Sequence, residues 1–138
     1  MQEEVDFQAA GAPGGENYGW PMNEGTECIE AEHCQAPGLV APMVTYGHDM
    51  TCAVMGGNVY RGPTAPGLAG AYLFGDLCTG GIFTLRGAAD QGWKRVELGF
   101  QPIKISSFGE DPAGDVYVVD MQGGAVYRVM DGAVPAGT

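Results

Sequence analysis

The sequence predicts an all-β chain laid out as consecutive four-stranded blades of a β-propeller, and three observations predict it. Turn formers punctuate the whole chain: 24 glycines and nine prolines in 138 residues break it into segments of roughly 8–12 residues, as short strands require. Between them lie apolar runs of β-forming residues, "CAVMGGNVY", "GAYLFGDL", "GIFTLRG", "WKRVELGF", "KISSF", "DVYVVD" and "AVYRVM". None keeps an i, i+3, i+4, i+7 apolar pattern for three turns, so almost no helix is expected. The third observation is an internal repeat. "GAYLFGDLCTGGIFTLR" and "GDVYVVDMQGGAVYRVM" align without a gap at an offset of 44. Gly70 meets Gly114, Asp76 meets Asp120, Gly80 meets Gly124 and Phe83 meets Tyr127. Each copy reads as strand, glycine turn, strand, and a period near 44 is that of a propeller blade.

The elements follow in order. Residues 3–7, "EEVDF", are extended in pattern and lie too far from the first blade to belong to it. The glycines and prolines of residues 13–25, "PGGENYGWPMNEG", exclude a helix. Their Tyr18 and Trp20 are suited to filling the gap between blades, with sugar stacking on Trp20 the alternative. One blade takes strands near 52–60, 72–77, 81–86 and 93–98. The next takes 104–108, 116–120 and 125–130 and lacks its fourth strand, which in closed propellers comes from the other end of the chain. The domains are therefore residues 1–50, with the strand, the aromatic loop and a cysteine-bounded excursion, then 51–100 and 101–138.

Charge excludes several functions. A net charge of −11 with only six Lys and Arg cannot neutralise a run of phosphates, so nucleic acid is not a partner. No stretch approaches the roughly 18 apolar residues of a membrane helix. "MQEEVDFQ" has no apolar core of a signal peptide. Four cysteines, Cys28, Cys34, Cys52 and Cys78, permit three pairings. We expect Cys28–Cys34 and Cys52–Cys78, and hence a secreted or periplasmic setting. A zinc site from Cys28, His33 and Cys34 is the rival, and it lacks a CxxC knuckle.

"EEVDFQAAGAPGGENYGWPMNEGTEC", "CAVMGGNVYRG", "GAYLFGDLCTGGIFTL" and "ISSFGEDPAGDVYVVD", in that order, resemble the C-terminal part of glucose/sorbosone dehydrogenase-type proteins. These include the soluble quinoprotein sugar dehydrogenases and the propeller of hedgehog-interacting proteins. The resemblance implies a six-bladed propeller, of which this chain supplies two to three blades. It implies pyrroloquinoline quinone (PQQ) over the central axis, held and polarised by calcium. A histidine base takes the sugar C1 hydroxyl proton while hydride passes to the quinone. The family's histidine and most of its cofactor contacts belong to earlier blades, so the resemblance assigns no catalytic residue and no metal ligand here. Where quinone binders carry a Lys-Arg pair in the turn, this chain has Cys78 and Thr79. Where they carry Arg-x-Arg-Asp, it has Lys104, Ile105, Ser106 and Ser107. Neither PQQ nor calcium is expected to bind this chain alone.

The candidate residues are correspondingly few. Lys104 and His48 are the cofactor-binding candidates, and Trp20 is the substrate candidate. His48 otherwise reads as a hydrogen-bonded loop residue and His33 as a solvated surface residue. Glu110, Asp111 and Asp115 in "GEDPAGD" match no calcium loop and read as an Asp-Pro-x-Gly turn. Asp76 and Asp120, repeated at one offset, read as caps of the hairpin turns. Three functions remain open: a non-catalytic part of a sugar dehydrogenase, a secreted propeller binding protein or glycan, and an assembly subunit completed by missing blades or a second chain.

Overall fold

A computed structural model describes residues 2–30, 34, 36–48 and 51–131. The described residues are all β apart from one 3-10 turn, Pro66–Leu68. They fall into two compact units, Met1–Val54 and Met55–Thr138.

In the first unit, β1 (Gln2–Val5) pairs antiparallel with β4 (Val44–Gly47), with Val5 opposite Val44. β2 (Asn23–Glu24) and β3 (Glu27–Cys28) form a short hairpin. Polar side chains of β1 hold that hairpin: Glu4 accepts the Gly25 amide at 2.9 Å, and Gln2 accepts that of Thr26 at 2.9 Å.

A four-stranded sheet follows, in the order β5 (Val54–Met55), β6 (Tyr72–Asp76), β7 (Gly81–Ala88), β8 (Gly92–Phe100). The second unit continues with a three-stranded sheet of β9 (Ile105–Glu110), β10 (Val116–Asp120) and β11 (Ala125–Arg128), with β10 central. All pairings within these sheets are antiparallel from β6 onward.

The two sheets share one core of Tyr60, Ala65, Leu68, Leu73, Val116 and Val129, with Ile82 and Phe108 against it. Alternation along β6 and β10 puts Leu73 and Val116 inside, while Tyr60, Ala65 and Leu68 come from the segment between β5 and β6 and Val129 follows β11. At Gly75 the sheets approach so closely that a Cβ would lie 2.8 Å from Ile105 Cδ1. A β-bulge leaves Leu98 of the outer strand β8 opposite the Ile82–Phe83 step of β7.

The architecture is the all-β, blade-like one expected. The boundaries shift in places. The strand expected over 52–60 shrinks to Val54–Met55 and an isolated Val59–Tyr72 bridge. Gly56 and Gly57 interrupt it, because a side chain at Gly57 would strike the Leu73 carbonyl. Residues 2–5 form β1, paired with β4, and among the described residues the β9–β11 sheet has three strands.

Candidate functional site

The repeat converges on two equivalent turns. Asp76 Oδ1 accepts the amides of Cys78 (3.0 Å) and Thr79 (2.9 Å) and the Thr79 hydroxyl (2.9 Å). Its counterpart, Asp120 Oδ1, accepts the amides of Gln122 and Lys104, both at 3.0 Å. The closing glycines match as well: Gly80 donates to the Asp76 carbonyl and Gly124 to that of Asp120. Amides from Lys104, Gly123 and Gln122 hold the Asp120 carboxyl below the ordinary carboxylate value. Repetition at offset 44 is thus structural, and both aspartates cap turns.

Residues 101–104 run between the two turns. Gln101 donates to the Gly80 carbonyl at 3.0 Å, and Met121 donates to the Lys104 carbonyl at 2.9 Å. The Lys104 ammonium turns back onto the Cys78 carbonyl. That bond uses one of the three donors of the ammonium. Ser106 Oγ lies 3.4 Å from the Val119 carbonyl and Ser107 is exposed. The side chains that residues 104, 106 and 107 offer beside the turns are thus one ammonium and two hydroxyls.

A second polar centre escaped the sequence reading. Buried Asp115 accepts the Tyr60 hydroxyl at 2.6 Å, the Thr64 amide at 3.1 Å and the Thr64 hydroxyl. Tyr60 in turn accepts the Ala65 amide at 2.8 Å. The Thr64 and Tyr60 hydrogen bonds pull the Asp115 carboxyl down, while burial and Asp115 push the Tyr60 phenol up. The network fastens the loop after residue 60 to the start of β10. One signal was available: Asp115 aligns with Ala71 at offset 44, a charge where the other copy has a buried apolar residue.

Asp111 is a turn residue, as expected. Its Oδ1 accepts the Ala113 and Asp115 amides, and its Oδ2 accepts the Tyr117 hydroxyl at 3.1 Å. Among the described residues, no group of three or more His, Cys, Asp and Glu side chains is arranged to hold a metal ion.

In the first unit, His48 Nε2 lies 2.7 Å from Glu3 Oε1, whose other oxygen accepts the Val54 amide. His48 is thus a linking residue between β1 and the segment after β4. Tyr18 donates to the Phe7 carbonyl at 3.1 Å. Trp20 does not fill a gap in the described chain, being 70% exposed. Partial desolvation, with Glu4 nearby, raises the carboxyl of the largely exposed Asp6 to about 6. Cys28 and Cys34 are bonded to each other, which removes the zinc reading of that pair. Cys52 and Cys78 are also disulfide-bonded, and no cysteine is free. His33 lies outside the described residues.

The family model described as Glucose / Sorbosone dehydrogenase matches residues 11–128. The chain belongs to the glucose/sorbosone dehydrogenase family. A curated relative, the HIPL1 protein of Arabidopsis thaliana, is 28% identical over an alignment of 168 residues. That alignment covers 93% of this chain and 22% of the relative, so the chain spans about a fifth of the relative's length. The two blade-like sheets of the glucose/sorbosone dehydrogenase match are consistent with a partial propeller. The bonded cysteines fit a compartment more oxidising than the cytosol.

Proposed function

We propose that the chain is part of a six-bladed propeller of the sugar-dehydrogenase kind, contributing frame rather than reacting groups. In that reading the completed protein passes hydride from a sugar C1 hydroxyl to PQQ, with the base, calcium and most quinone contacts on other blades. The observation that carries it is the Lys104 ammonium held on the Cys78 carbonyl, between two turns that carry no Lys or Arg of their own. A secreted or periplasmic setting agrees with four bonded cysteines. The test is reconstitution of the 138 residues with PQQ and calcium, followed by aldose oxidation with a dye acceptor. No turnover above a no-protein control is expected, and steady turnover overturns the reading.

A second reading, a non-enzymatic propeller that binds a glycan, is favoured by Trp20. An indole 70% open to solvent offers the flat apolar face on which a sugar ring stacks. Titrating neutral sugars against a Trp93→Phe variant isolates the Trp20 emission. A saturable change, lost in Trp20→Ala by NMR titration, supports glycan binding, and a flat response to all sugars removes it.

A further inference from the structure

The turn that carries Trp20 is fastened from both sides. Gly19 donates to Asn17 Oδ1 at 3.0 Å, and the Asn23 amide closes the turn on the Gly19 carbonyl at 2.9 Å. The Met22 carbonyl accepts the amides of Ile29 and Glu30, at 2.9 and 3.1 Å. The far end of the β2–β3 hairpin therefore lies against the same turn, and the Cys28–Cys34 bond closes it. Two large apolar side chains stand in solvent here, Trp20 at 70% and Ile29 at 51% exposure. Carboxylates flank them. Glu24 is directly opposite Glu27 across the hairpin, so both project from one face, and Glu30 follows Ile29. Before the turn, partial desolvation and then the Glu16 and Asp6 carboxylates raise the Tyr18 phenol. Residues 1–54 contain no Lys or Arg to offset these charges.

We propose that the Trp20 face of the first unit binds a β-1,4-linked glucosamine oligosaccharide, one ring stacking on the indole and protonated amines facing Glu24, Glu27 and Glu30. The inference rests on the glycan reading of Trp20 and adds the charge that the ligand carries. Charge decides among glycans. A uronic or sulfated sugar meets nine acidic residues and no Lys or Arg in residues 1–54, and is repelled. A neutral sugar can stack, yet it leaves Glu24 and Glu27 opposed like to like, which is unfavourable at directly opposite positions. An amino sugar answers both features. Its apolar ring face covers the indole, and its ammonium is attracted by the carboxylates and by the π-face. A linear chain lets neighbouring rings reach the hairpin while one stays stacked. The fastened turn helps as well, since little ordering is left to occur on binding.

The test uses the 138-residue chain labelled with ¹⁵N, whose two tryptophans give two indole N–H signals, assigned with Trp93→Phe. The probes are the β-1,4-linked glucosamine tetramer and its fully N-acetylated, neutral counterpart, at about pH 6, where the glutamates are ionised. The expected result is a saturable shift of the Trp20 indole with the glucosamine tetramer, and binding about tenfold or more weaker for the acetylated one. Raising the salt from about 0.01 M to about 0.15 M should remove most of that difference by weakening the glucosamine tetramer alone. Glu24→Gln combined with Glu27→Gln, which relieves a like-charge pair and so spares the hairpin, should do the same at low salt. Trp20→Ala, read on the amides of residues 16–30, should abolish binding of both. Equal affinity for the two tetramers overturns the inference and leaves the glycan reading standing, whereas no shift with either removes both. Tetralysine binding at the Trp20 indole as tightly as the glucosamine tetramer also overturns it, in favour of a basic peptide. So do shifts confined to residues 55–131.

Discussion

Asp115 shows how one residue can set a loop. Its carboxylate answers two hydroxyls and an amide within a site that is 4% exposed. Tyr60, itself wholly buried, passes the connection on to the Ala65 amide. Removing the phenol oxygen strands a buried N–H and one lone pair of Asp115. Tyr60→Phe should therefore cost about 1–3 kcal/mol in urea unfolding, with little change in m-value. Asp6 is the opposite case. Partial desolvation of this otherwise exposed residue, with Glu4, raises its carboxyl to about 6 from an ordinary 3.8, so the folded chain binds that proton more tightly than the unfolded one. Its ionisation then lowers stability as pH rises from about 4 to about 6. Asp6→Asn should raise the unfolding midpoint at pH 7 and leave it unchanged at pH 3.5, by thermal scans across that range. The lowered Asp115 and Asp120 carboxyls act in the other sense. Their stabilisation is present above the ordinary carboxylate pKa and is lost as pH falls below it.

At the scale of elements, the two turns form a natural matched pair. Gly80 and Gly124 hold the same left-handed conformation, φ +66° and +65°. Only the surroundings differ: a Cβ at Gly80 would strike the Gln101 carbonyl, while one at Gly124 meets nothing within 4 Å. Gly124→Ala should cost about 1–2 kcal/mol, the left-handed penalty alone. Gly80→Ala should cost clearly more, because backbone rather than a side chain stands in the way. Chemical unfolding of the two variants side by side checks the difference. The same pair marks the limit of what was legible. Spacing and anchors placed β6, β7, β10 and β11 within two residues, since turn glycines and alternating apolar residues leave a local imprint. The strand over 52–60 was misjudged, because its interruption depends on the Leu73 carbonyl, contributed from elsewhere in the fold. Lys104 was legible as a cation near the turn. Its partner, a backbone carbonyl 26 positions earlier, has no side-chain signature to read.

Across the whole molecule, charge is divided unevenly. Residues 1–54 hold nine of the 17 acidic residues and none of the six basic ones. Residues 55–138 hold the other eight acids and all six Lys and Arg. The first unit thus works against its own repulsion, with short strands and the Cys28–Cys34 bond to oppose it. Closing so short a loop is worth about 2 kcal/mol in the chain-entropy account. Added salt should screen the repulsion, since the Debye length falls from about 30 Å at 0.01 M to about 10 Å at 0.1 M. Hydrogen exchange by mass spectrometry can follow the two units separately. Raising the salt should slow exchange in residues 1–54 more than in residues 55–131. Replacing Cys28 and Cys34 by serine should speed exchange in the first unit at low salt, with part of the loss recovered when salt is added. Equal responses in the two units would mean that the uneven charge has no bearing on stability.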